Sequence, residues 1–215
     1  MILGIDTSGT ALGLALCKDG KITASLLTKP GLRHGEILQQ NIDSFLHDNG
    51  FSLSDLTAIA VTLGPGSFTG LRIGLAAAKG YAFALNLPLT GISTLLAGAY
   101  KFSDFSKEVV VIIDARREEF YYATFDCSKK LPVRLTEDKA GKLESVLKST
   151  DSDIIIFGPS HLKEHFVAET GQSDYYISDD YNLAEAAALA GEGQIAAGDI
   201  LDRANAVPCY IRTGF

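Results

Sequence analysis

The chain has 215 residues, 47% of them hydrophobic and 21% charged, with a formal net charge of -7. That length and balance suit one large or two small globular lobes with a sizeable core. The acidity is not gathered in a tail, and an acidic chain of this size makes a poor autonomous nucleic-acid binder, because phosphate contacts need clustered lysine and arginine.

Cysteine usage points the same way. Cys17, Cys127 and Cys209 are far apart and form no CxxC pair, which argues against a disulfide framework or a thiolate metal site. Cys17 and Cys127 sit in apolar runs and read as small core residues. The opening MILGIDTSGT lacks the basic segment of a secretory leader. The apolar stretch 71–92 is broken by Arg72, Lys79, Asn86 and Pro88, so it does not read as a membrane span. The expected compartment is a reducing cytoplasm.

In chain order, ILGID, LGLALC and KITASLLT predict three strands, ended by Pro30-Gly31. Ile37, Leu38, Ile42, Phe45 and Leu46 recur at helical spacing over 36–49, and Gly50 is a stop. LTAIAVTL reads as a buried strand. A glycine-rich loop and a helix to about Leu85 follow, then a strand in LPLTGIS and a helix over 94–100. The second half repeats the order. EVVVIIDAR, EEFYYATFD and LPVRLT read as strands, AGKLESVLKS as a helix and SDIIIFG as a buried strand. Ser160 is placed to cap a helix to about Glu169. YYIS is a short strand, and NLAEAAALAGEGQIAAG an alanine-rich closing helix.

Each half thus reads β-β-β-α-β-α. An aspartate closes the first strand in both, Asp6 and Asp114, and Gly-Pro ends the strand after the first helix, at 64–65 and 158–159. This pattern predicts an internally duplicated α/β chain of two ribonuclease-H-like lobes, each a mixed sheet flanked by helices. The expected division is 1–101 and 102–215.

The loop TLGPGSFTGLRIG fits neither common phosphate-binding template. No Gly-Lys-Ser/Thr exists, and Gly64, Gly66 and Gly70 leave one residue too many for G-x-G-x-x-G. Pro65 also removes an N–H. On a helical wheel Gly70, Gly74, Ala77 and Tyr81 form a stripe of mostly small residues that lets another backbone approach. Arg72 and Lys79 are the only charges, nearly superposed. A helix apolar on so many sides is either central to its own lobe or shared with a partner.

Taken together, GIDTS (4–8), GPGSFTGLRIG (64–74), DARREEFYYATF (114–125) and AVPCYIR (206–212) resemble the bacterial TsaB (YeaZ) family over nearly the whole chain. The resemblance implies an actin-like ATPase fold. It also implies a role in forming N6-threonylcarbamoyladenosine at position 37 of tRNAs that read codons beginning with A. There a related subunit, TsaD, transfers the group, TsaB is its non-catalytic partner, TsaE joins them, and TsaB alone forms homodimers. The implied interface is the first-lobe helices: Arg33, His34 and Glu36 at one helix start, and Gly70, Arg72, Gly74, Ala77, Ala78 and Tyr81 on the next helix. The two histidines of TsaD's metal-binding H-x-x-x-H fall on Thr94 and Gly98, which cannot replace imidazole, so no metal role carries over. No cofactor is expected, apart from a nucleotide at the surface shared with partners.

Rival readings rest on single motifs. His161 and His165 in HLKEH fit H-x-x-E-H, with Glu164 polarising a zinc-bound water and Glu185 or Glu192 as third ligand. Asp6, Thr7, Ser8 and Gly9 resemble the first phosphate turn of actin-like ATPases and sugar kinases; the plainer reading is a strand-end turn kept from a nucleotide-binding ancestor. Arg116 and Arg117 stand beside Glu118 and Glu119, a charge-balanced run that reads as a lobe or partner contact rather than an RNA patch. The enzyme alternative is an actin-like phosphotransferase or metallohydrolase active alone.

Overall fold

Strand β1 (Ile2–Asp6) is buried along its whole length, and the first sheet is assembled around it. In this computed structural model, which describes residues 1–29, 33–105, 107–148, 155–171 and 174–211, the sheet order is β3-β2-β1-β4-β5. β2 (Leu12–Lys18) and β3 (Lys21–Thr28) form an antiparallel meander with β1. β4 (Ala58–Gly64) and β5 (Leu89–Ser93) continue the sheet in parallel. Pro30 and Gly31, expected to end the meander, lie outside the described residues.

The second sheet repeats this plan. β6 (Glu108–Asp114) and β7 (Glu119–Asp126) pair antiparallel, with β8 (Val133–Arg134) and β9 (Lys139–Lys142) on the far side of β7. β10 (Ile155–Gly158) and β11 (Tyr175–Ile177) run parallel to β6. The order β11-β10-β6-β7-β8 is that of the first sheet, strand for strand, which makes the duplication structural.

Among the described residues, six α-helices cover the sheets: α1 (His34–Asp48), α2 (Phe68–Ala84), α3 (Thr94–Ala99), α4 (Leu143–Lys148), α5 (Lys163–Thr170) and α6 (Leu183–Ala197). The division of the chain departs from 1–101 and 102–215. One unit is Met1–Thr94 with Asn182–Cys209; the other is Leu95–Tyr181 with Tyr210 and Ile211. Each closing helix leaves the lobe its sequence position suggests. Leu95 and Ala99 of α3 pack in the core of the second sheet, and α6 lies on the first.

Two local expectations also change. Residues 140–142, read as the start of a helix, belong to β9, because pairing with β7 outweighs weak helical propensity around Gly141. Ser160 does not cap α5. Its hydroxyl donates to the Asp179 carboxylate, and a short 3-10 turn (Ser160–Leu162) precedes the helix. Cys17 and Cys127 are buried, as read, and burial pushes their thiols up to about 11 and about 12.

The helices on the first sheet approach it at backbone contact. A Cβ on Gly4 would lie 2.2 Å from the Ala184 carbonyl oxygen of α6. On α2, a Cβ at Gly70 would lie 2.0 Å from the Thr7 carbonyl oxygen, and one at Gly74 would lie 2.3 Å from Thr7 Oγ1. Any side chain there forces the elements apart. Gly74→Ala is expected to cost about 1–3 kcal/mol, lowering the melting midpoint by roughly 2–4 °C per kcal/mol. Its obstacle is a side-chain oxygen, so Thr7→Ala in the same chain should restore part of the loss. Gly70→Ala meets a main-chain oxygen and should gain nothing from Thr7→Ala. Thermal melts of the three single and two double variants check this; equal rescue of both glycine variants would refute the assignment.

Candidate functional site

The turn after β1 is a packed joint. Asp6 is only 4% exposed, and its Oδ1 accepts the Ser8 N–H (3.1 Å) and the Thr62 hydroxyl (2.6 Å). Burial raises its carboxyl above the usual range, and these hydrogen bonds work in the opposite direction. Thr7 Oγ1 donates to the Gly70 carbonyl (2.7 Å), and Ser67 N–H donates to the Ser8 carbonyl (2.7 Å). Ser67 also caps α2 by accepting the Gly70 N–H at 3.2 Å. Thr7 and Ser8 therefore spend polar groups on holding α2 against the turn, Asp6 ties the turn to β4 through Thr62, and Gly9 stays exposed.

That joint corrects the expected interface stripe. Gly70, Gly74 and Ala78 are buried inside the first unit, so the close approach they permit is to the chain's own turn, not to a partner. Ala77 and Tyr81 are half-buried, and the Tyr81 hydroxyl donates to Gln39 Oε1 of α1 (3.0 Å). His34, also expected to face a partner, is 5% exposed, and its Nε2–H donates to the Ala11 carbonyl at 3.0 Å. Arg33, Glu36 and Arg72 are exposed.

The outward face of α2 lies opposite the glycines. It carries Phe68 (38% exposed), Arg72, Ala76, Gly80 and Phe83 (68% exposed). The Arg72 guanidinium lies 3.8 Å over the Phe68 ring, and that of Arg203 lies 5.5 Å from the Phe83 ring centroid. These two aromatic–arginine pairs stand about 22 Å apart along the helix. α1 flanks one side through Tyr81. On the other runs the segment 202–209, a strap tied along α2. Arg203 donates to the Ala82 and Leu87 carbonyls and to Asn86 Oδ1, Lys79 donates to the Ala204 and Ala206 carbonyls, and Cys209 N–H reaches the Leu63 carbonyl. Sequence reasoning missed Phe68, Ala76, Gly80, Phe83 and Arg203. The signal was present, since superposed Arg72 and Lys79 mark the solvent side of a helix.

In the second unit Asp114 repeats Asp6: its Oδ1 accepts the Arg116 N–H (2.7 Å), two residues on. Here the turn is exposed and strained. Arg116, Arg117 and Glu118 all have left-handed φ, at 64°, 56° and 60°, which costs of order 1–3 kcal/mol per residue. A cleft of about 470 Å³ beside it is lined by the turn, Phe120, His161, Leu162 and His165. The zinc reading finds no ligand set: Glu192 accepts the Gly20 N–H and Glu185 the Ser25 hydroxyl, both within the first unit. Among the described residues, no three histidine, cysteine, aspartate or glutamate side chains come together to hold a metal, and no helix is long and apolar enough to cross a membrane.

Comparison with known proteins matches this geometry to a family. Residues 30–179 match the family model of TsaD, tRNA N6-adenosine threonylcarbamoyltransferase. The tRNA threonylcarbamoyladenosine biosynthesis protein TsaB of Bacillus subtilis is 32% identical over 160 residues, covering 73% of this chain and 70% of that protein. Its Escherichia coli counterpart is 39% identical over 127 residues, covering 58% of this chain and 54% of the counterpart. The solved structure of YeaZ from Pseudomonas aeruginosa superposes with a TM-score of 0.82 at 27% identity, covering 97% of this chain and 98% of that one. More distant solved structures share the actin-like fold alone. The chain has that fold, built from two related lobes, and it belongs to the TsaB (YeaZ) family.

Proposed function

We propose that this chain is the non-catalytic partner subunit in forming N6-threonylcarbamoyladenosine at position 37 of tRNAs reading codons that begin with A, and that it binds and activates a TsaD-type transferase in the cytoplasm. Family membership supports the pathway. The observation that carries the docking role is the outward face of α2, where two exposed phenylalanines under arginines frame Ala76 and Gly80. Aromatic and arginine side chains dominate binding hot spots, and small residues between them admit a second helix at close range. The match of residues 30–179 to the transferase family supports a partner of related fold. TsaE joins this pair, and the same face serves a second copy when the transferase is absent. With a net charge of -7 the chain alone contributes little tRNA affinity.

Phe83→Glu places a charge on this face without touching the core. Transferase binding should fall by about 30-fold or more, as for loss of a hot spot worth at least about 2 kcal/mol, and the modified adenosine should disappear from tRNA in cells carrying only this variant. The melting point should stay at the wild-type value, unlike that of Gly74→Leu. Pull-down of the co-expressed transferase together with nucleoside analysis decides; intact binding and intact modification would remove α2 from the interface.

The non-catalytic reading has its own test at Asp6. If this carboxylate organised a magnesium nucleotide, Asp6→Asn would abolish function. As the acceptor of the Ser8 and Thr62 hydrogen bonds it is replaceable by an amide oxygen, and the cost of burying a charge is removed. Asp6→Asn should keep full modification and equal or higher stability at neutral pH. Asp6→Ala leaves both donors unpaired and should lose about 1–3 kcal/mol.

A further inference from the structure

We propose that the edge of the second sheet at β8, over residues 129–139, docks an acidic segment of a partner protein that also carries apolar side chains. Exposure alternates along this edge. Leu131, Val133 and Leu135 are 60%, 47% and 47% exposed, while Pro132 is buried and Arg134 and Thr136 are half-buried. The inner residues hold the segment in place. The Arg134 guanidinium lies 4.9 Å from the Phe125 ring centroid and pairs with Asp138, and the Thr136 hydroxyl accepts the Thr124 N–H at 3.0 Å. Val133 pairs with Asp126, which shares a face of β7 with Phe120 and Tyr122 because side chains alternate along a strand. Helices α4 and α5 cover the Phe120–Tyr122 end of that face, and Val133 and Leu135 stay open to solvent at the other.

Charge names the occupant. In a chain of net charge -7, residues 126–142 carry five lysines and arginines against three carboxylates. Two of those carboxylates are engaged, Asp138 by Arg134 and Asp126 by the Ser128 N–H at 2.9 Å. Lys130, Lys139 and Lys142 are exposed, and among the described residues none of them is in an ion pair. Exposed aliphatic anchors beside unpaired cations suit an acidic segment with apolar side chains: the apolar contacts hold it, and the lysines steer and select it. RNA suits the edge less well, because a base stacks on an aromatic ring and residues 126–142 include no aromatic. Strand addition is disfavoured too, since Pro132 has no N–H and β8 is two residues long, so recognition falls to the side chains.

The test places a photo-crosslinking residue at Val133 of the full chain in its own cells, with Glu169, exposed elsewhere in the same unit, as the control position. The expected adduct is with one protein, through a segment rich in acidic and apolar residues. That segment, made as a synthetic peptide, should bind the purified chain saturably. Leu135→Ser should weaken binding by about tenfold or more, the effect of losing one covered aliphatic anchor. Lys130→Glu with Lys139→Glu should weaken it as well, and this second deficit should shrink as salt is raised, because exposed charges are screened. Phe83→Glu should bind the peptide as the wild type does, which separates this edge from the face of α2. All substituted positions are exposed, and a melt of each variant confirms that it folds. An adduct with RNA or with a second copy of the chain would overturn the proposal. So would a captured segment without acidic residues, no adduct above that from position 169, or unchanged peptide affinity in the two β8-edge variants.

Discussion

Contact between backbones around β1 sets the rest of the first unit. Helices α2 and α6 both reach this strand or its turn at distances that exclude a Cβ: Gly4 against the Ala184 carbonyl, Gly70 against the Thr7 carbonyl, Gly74 against Thr7 Oγ1. Close packing of this kind leaves no freedom in the roll of a helix. Once Gly70 and Gly74 face the turn, Arg72, Ala76 and Phe83 must face outward, because 3.6 residues per turn place them on the opposite side. The outward face of α2 is therefore a consequence of the joint beneath it. The alanine-rich composition of α6 follows from the same constraint, with Ala184, Ala186, Ala187 and Ala188 all buried against the sheet.

A duplicated chain has two copies of each device, and the copies have diverged. Asp6 and Asp114 each end the first strand of a sheet and accept the N–H two residues later. In the first unit the following residues are drawn into the core, where the Thr7 hydroxyl donates to the Gly70 carbonyl and the Ser8 carbonyl accepts the Ser67 N–H. In the second, three residues are held in left-handed conformation at the surface, and among the described residues the Arg117 and Glu118 N–H groups have no acceptor. Strain of this sort persists only where the surroundings over-determine it. Here three hydrogen bonds do so: Arg116 N–H to Asp114 Oδ1, Ala115 N–H to the Glu119 carbonyl, and Glu119 N–H to the Arg116 carbonyl.

Much of this was legible in the sequence. Apolar runs gave the strands, and the repeated order with its two aspartates and Gly-Pro pairs gave the duplication, because alternating buried strands and amphipathic helices leave strong local signals. What failed were inferences about which backbone or which sheet an element packs against. A stripe of glycine and alanine announces close approach but not the identity of the approaching group, so the stripe reads as a partner surface although Gly70 and Gly74 meet Thr7 and Ala78 lies in the core of the first sheet. The membership of α3 and α6 was equally hidden. Nothing local distinguishes a helix that packs on its own sheet from one that packs on the other, and a linear cut at 101 could not find it. β9 was lost for a related reason, since four residues containing a glycine declare a strand only once β7 is beside them.

The strap carries this reasoning one step further. Arg203 satisfies carbonyls at the C-terminal end of α2, where a helix has unpaired acceptors and a partial negative charge. The same guanidinium stands near the Phe83 ring. One side chain thus finishes the helix and shapes one end of the exposed face, while Lys79 fastens the strap from the middle of the helix. The charge on Arg203 is used twice, once against main-chain dipoles and once against an aromatic face. The most exposed aromatic of α2 consequently sits at the end of the helix that Arg203 ties down. An anchored aromatic loses less side-chain freedom when it is covered than a mobile one would, so the contacts that finish α2 also limit the freedom of Phe83 on its outer face.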